Sequence, residues 1–174
     1  MSSLKMIDSS DRLWSKPQLM EHLEQVALLF ESKIFQSSGP ITLQSQLIWI
    51  ELIRGVSDLV QQSALAGKRI CFTDEVSPLD QHQDITDLLD AMRQSAHIVG
   101  PLSPAQEQFT FISPALNQVN GIGWGHFANG LFFACPHPNE RAFFIGRDRV
   151  YFYRHLMRAY LEAGNHLLLV TMST

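Results

Sequence analysis

Apolar residues recur at spacings of three and four from Leu19 through Leu23, Val26, Phe30 and Ile34, with Glu21, Glu24 and Glu31 on other faces. That pattern predicts a helix with one buried stripe. Ser15, Pro17 and Gln18 mark its start, because serine caps free amides, proline fits the first turn and glutamine reaches back as in a capping box. Ser37-Ser38-Gly39-Pro40 is expected to end it. A second helix is predicted from Thr42 to Ala66, with Gly67 placed for the left-handed residue that closes helices. Leu47, Ile48, Trp49, Ile50, Leu52, Ile53, Val56, Leu59 and Val60 cover most of its circumference, leaving Gln44, Glu51, Arg54, Asp58 and Gln61 as a narrow polar stripe. Such a helix needs cover on more than one side, inside the domain or at a subunit interface. Residues 68–72 read as an edge strand or a connector. A third helix is expected to open at Ser77-Pro78, with Ile85, Leu88, Leu89, Met92 and Ala96 as its apolar face, and to end before Gly100-Pro101.

Beyond Gly100 the period changes. Residues 108–113, 131–135, 141–145 and 150–153 read as strands, and a glycine-rich stretch fills 117–130. The loop 136–140 is expected to make a hairpin, and Gly146-Arg147-Asp148 the next turn, giving an antiparallel meander. A helix over 154–163 is expected to close at Gly164-Asn165 before a last strand over 167–172. Phe132 and Ala134 alternate with Leu131, Phe133 and Cys135, so these strands are apolar on both faces and need cover on both. The expected covers are the early helices on one face and the late helix or a second subunit on the other. The expectation is a single α+β domain over 1–174, with a helical half over 15–99 packed on a mainly antiparallel sheet from 100–174, and residues 1–14 loosely packed or disordered.

Composition narrows the function classes. With 174 residues, 45% hydrophobic and 17% charged, the chain is long enough to bury a core without staples. A net charge of −4 argues against the broad cationic surface that nucleic acid or an anionic membrane demands. Cys71 and Cys135 lack CxxC spacing, which removes a zinc ribbon or disulfide framework. No apolar run has the length of a signal or spanning segment, so a soluble cytoplasmic protein is expected.

The candidate chemistry is sparse. Closely spaced glycines in 120–130 let backbone amides approach an anion, with His126 and Asn129 as further donors. The run matches neither a dinucleotide fingerprint nor a P-loop, and small residues making room for Trp124 and Phe127 are the simpler account. Cys135, with His137 and His126, suggests a thiol and its base, although alternation places Cys135 among core positions. The histidines form no HxxxH or HExxH pair, and neither metal nor cofactor is expected. Asp80, Asp84 and Asp87 would share one helical face as an acidic partner surface. Arg147, Arg149 and Arg154 are the candidates for binding an anion, since guanidinium groups recognise carboxylate or phosphate in forked geometry. Tyr151, Tyr153 and Tyr160 read as core before they read as a stacking platform.

Two functions follow. The first is a non-enzymatic homodimeric module, regulatory, adaptor or inhibitory, that acts through protein contacts. The second is a small-ligand or anion receptor, or an enzyme, with its pocket between the glycine-rich loop and the 131–153 meander.

Overall fold

The computed structural model describes residues 13–36, 42–78, 80–96, 116–126 and 132–172. The first helix, α1, spans Lys16–Phe30, and the Ser15 N–H donates to Gln18 Oε1 at 2.9 Å, half of the expected capping box. It stops short of Ile34, and a 3-10 turn at Lys33–Gln36 delivers Phe35 into the core against Trp49. Helix α2 spans Leu43–Leu65, capped by reciprocal bonds between Thr42 and Ser45 and followed by Gly67 at φ +97°. Its Trp49, Leu52, Ile53, Val56, Leu59 and Val60 are buried, packed by α1, α3 and the last helix. The close approach of α1 depends on Gly55, where a Cβ would stand 2.6 Å from Val26 Cγ2.

Residues 68–72 form a connector. The third helix, α3, spans Ile85–Ala96 and buries Ile85, Leu88, Leu89, Met92 and Ala96. It starts later than the Ser77-Pro78 signal, because Ser77 is bridged to Arg149. A residue before proline favours that extended state. The cap is instead Asp84, whose Oδ1 accepts the Asp87 N–H at 3.1 Å.

The strands are β1 Leu116–Asn120, β2 Gly123–His126, β3 Phe132–Cys135, β4 Arg141–Ile145 and β5 Asp148–Tyr151. They make two antiparallel sheets, β1-β4-β5 and the ribbon β2-β3. The hairpin expected across 136–140 therefore does not form, and the three-strand meander with it. The loop instead carries the chain from one sheet to the other. β3 thereby covers apolar residues of β4 with its face, which strand-to-strand pairing beside β4 would leave bare. The strand expected at 108–113 lies outside the described residues.

From β5 the chain passes through a π-helical turn, Phe152–Met157, into α4, Arg158–Met172. The helix end expected at Gly164-Asn165 and the strand expected over 167–172 are both overturned. Gly164 is a buried position inside α4, where a Cβ would stand 3.0 Å from Leu23 Cδ2, so this glycine serves helix packing against α1. The last helix packs on α2.

Strand register sorts the core into two layers. Leu116, Phe143, Ile145 and Val150 join the helices, while Ala142, Phe144 and Tyr151 on the opposite face join Cys135, Val119 and Phe133. The second cover of the sheet is thus the ribbon, where the late helix or a second subunit was expected. Among the described residues no helix is long and apolar enough to cross a membrane.

Candidate functional site

The glycines of the ribbon explain how it lies on the sheet. Gly123 pairs with Cys135 and Gly125 with Phe133. A Cβ on Gly125 would stand 2.6 Å from the Phe133 ring, and one on Gly123 would stand 2.9 Å from Val119 Cγ1. A side chain at 123 would lift the ribbon from β1, and one at 125 would displace the Phe133 ring across the ribbon. Small residues inward leave the aromatic ones outward. Trp124 is 73% exposed and Phe132 61%, their rings stacked at 6.3 Å, with His126 against Phe132 at 5.4 Å and Ile122, 72% exposed, in the adjoining turn. Asn129 and Phe127 lie outside the described residues.

Cys135 and His126 project from opposite faces of this ribbon. Cys135 is buried between the layers, where desolvation pushes its thiol pKa up and Sγ donates to the His137 carbonyl at 3.7 Å. A thiol so placed resists the ionisation that a nucleophile needs.

A polar hub lies at one end of the sheet. Glu75, at φ +58°, takes His137 Nε2 on Oε2 at 2.7 Å and Arg154 Nη1 on Oε1 at 3.2 Å, and its carbonyl accepts from Arg149 Nη2 at 3.4 Å. Asp74 pairs with Arg158 at 2.8 Å, a bond that holds its carboxyl below the usual range. His155 is fully buried. The Tyr151 N–H reaches its Nδ1 at 3.2 Å, which leaves the ring proton on Nε2 to be donated to the Asp74 carbonyl at 2.8 Å. Burial depresses the His155 pKa and pushes the Tyr151 hydroxyl up to about 12. Buried Glu140 accepts the N–H groups of Arg141, Tyr153 and Arg154 at 2.9, 3.0 and 3.1 Å. The partial positive charge at the start of the last helical segment is therefore met by an internal carboxylate. An open depression of about 450 Å³ is lined by Asp74, Glu75, Tyr153, Arg154 and Arg158, and each of its charged side chains has an opposite partner.

The candidate arginines separate accordingly. Arg154 is engaged in the hub, whereas Arg147 and Arg149 share a second cleft, of about 340 Å³, between the ribbon and the β4-β5 turn. Arg54, Arg69, Arg93, Arg154 and Arg158 all pair with carboxylates. Among the described residues, Arg147 and Arg149 have no such partner. The Arg149 guanidinium lies 4.8 Å from the Tyr151 ring centroid, and its Nε is buried with no acceptor among the described residues.

The three aspartates do not form one helical face, because α3 begins at Ile85. Asp80 is exposed in the preceding turn, Asp84 is buried and bound by Arg69 at 2.8 and 2.9 Å, and Asp87 binds Arg69 at 2.6 Å. The paired carboxylates, Asp84 foremost, raise the Arg69 pKa in turn. Among the described residues no group of three or more His, Cys, Asp or Glu is arranged to hold a metal ion.

Comparison with known families, curated proteins and solved structures finds no match. Glu75, Glu140 and His155 escaped the sequence reading because nothing local marks them; their partners lie far along the chain. Only the Gly-Trp-Gly-His alternation carried a signal, since period two with glycine on one side and aromatics on the other describes a thin strand with a bare outer face.

Proposed function

We propose that this chain is a protein-binding module, regulatory, adaptor or inhibitory in type, whose contact surface is the outer face of the β2-β3 ribbon. The observation that supports this reading is the exposure of Trp124, Phe132 and Ile122 side by side on a thin ribbon whose opposite face packs on the sheet. Aromatic side chains exposed together cost solvation with no intramolecular return, and such residues dominate binding energy at protein interfaces. Most of the apolar circumference of α2 is packed within the chain, Leu47 excepted, and the ribbon covers the second face of the sheet, which favours a different protein over a second copy as the partner.

Crosslinking in the native cell extract tests this. The wild-type chain is expected to trap a defined partner that Trp124→Ser and Phe132→Ser both lose while keeping the native melting temperature. Undiminished crosslinking by both variants would refute the ribbon as the surface, and sedimentation of the pure chain as a dimer that Trp124→Ser dissolves would replace the partner with a second copy.

A second reading, binding of a small anion, draws on one observation, the pair of arginines without carboxylate partners at the cleft. A thermal-shift series with phosphate, acetate and benzoate tests it, because a ligand confined to the native state must raise the melting temperature.

A further inference from the structure

The cleft between the two β layers joins an aromatic wall to two arginines. Phe133 and Phe144 form its apolar wall, Ser77 and Arg149 lie along β5, Arg147 stands in the β4-β5 turn, and Phe132 lines the side nearest the ribbon. In a chain with more acidic than basic residues, 17 against 13, internal carboxylates satisfy the other ion-paired arginines, yet neither arginine at this cleft has one among the described residues. Among the described residues Arg149 is also poorly compensated: it has one long bond to the Glu75 carbonyl at 3.4 Å, a tyrosine face at 4.8 Å, and a buried Nε with no acceptor. A guanidinium partly stripped of water and short of acceptors gains most from a carboxylate, which takes forked hydrogen bonds.

We propose that this cleft receives a carboxylate side chain, flanked by an apolar one, from an extended segment of the partner protein. The apolar group would rest on the exposed Phe132 at the ribbon edge of the cleft, and the carboxylate would meet Arg147 and Arg149. Phe132 belongs both to the cleft and to the exposed ribbon face, so a chain seated in one continues across the other. That continuity, with the charge complementarity, favours a peptide over a free anion. The inference rests on the ribbon as contact surface and adds the chemistry of what touches it.

The test is an array of ten-residue peptides, each with Asp or Glu beside Leu, Phe or Trp, matched by amide counterparts in which only the acid is replaced by Asn or Gln. The full chain is expected to retain a set of acidic peptides and to bind their amide forms roughly tenfold more weakly, the scale of one charge-assisted hydrogen bond. Arg149→Met and Arg147→Met are each expected to cause a similar loss. Arg147 stands exposed in a turn, so its variant keeps the test valid even where Arg149→Met disturbs the sheet. Equal retention of acid and amide peptides, or unchanged binding by Arg147→Met and a folded Arg149→Met, would overturn the proposal. Binding lost in Trp124→Ser but kept in both arginine variants would leave the ribbon reading standing and sink this one. No retained peptide, or competition by acetate or inorganic phosphate at the peptide's own concentration, also refutes it, the latter in favour of a small-anion site.

Discussion

The strands β4 and β3 look alike as sequence, Arg141-Ala-Phe-Phe-Ile145 and Phe132-Phe-Ala-Cys135, yet they meet different surroundings. β4 is central in its sheet, with Phe143 and Ile145 against the helices and Ala142 and Phe144 under the ribbon. β3 is covered on one face only, leaving Phe132 in solvent. A run that is apolar on both sides therefore has two explanations: a strand enclosed between layers, or a strand whose second face is kept for another molecule. Sequence alone does not separate them, because both need the same residues.

Four measurements would break or sharpen that contrast. The largest effect is expected at Phe143→Ala, which empties a fully buried position against Trp49 and should cost about 3–5 kcal/mol in urea denaturation. Glu140→Ala should cost about 1–3 kcal/mol, since three amides lose their carboxylate and buried polar groups are left unmatched. Acid should act more mildly. His155 is held neutral by burial, below the ordinary value of about 6.5. The unfolded chain takes up that proton first, so this contribution is fully present above about pH 6.5 and falls as pH drops through and below it. A melting-temperature series from pH 8 to 5 should decline, and the decline should flatten in His155→Gln. The smallest effect is expected at Trp124→Ser, within about 0.5 kcal/mol, as for a surface residue with no structural role. A loss as large as that at Phe143 would mean that the ribbon face is part of the fold.

Much of the architecture was legible where one local rule governed. The cap at Ser15, the start of α2 beside Thr42, the left-handed Gly67 and the buried stripe of α3 all follow from residues within a turn or two of one another. The structure departs from the local pattern where a local signal answers a distant demand. Ser77-Pro78 resembled a helix start, but β5 holds Ser77 extended. Gly164 resembled a helix end, but α1 occupies the space its side chain would fill. The loop 136–140 resembles a hairpin because the alternative, β1 pairing with β4, joins residues from Asn120 and Arg141 to Leu116 and Ile145, well beyond the reach of a local turn signal. The side chains around the clefts are less legible than the fold. Arg147 and Arg149 do share a cleft, whereas Arg154 and the aspartates Asp84 and Asp87 are engaged within the chain, and their partners Glu75 and Arg69 lie too far off in sequence to be foreseen.

Residue 140 joins three parts of the molecule. Its carboxylate holds the start of β4 and the turn before α4, and its carbonyl takes the Gly121 N–H from the bend that opens the ribbon. The alignment of strand, ribbon and last helix thus converges on a single hinge pin. Loosening that pin would let intact pieces slide past one another, so the near-ultraviolet dichroism of packed aromatics should fade while the far-ultraviolet signal of helix persists.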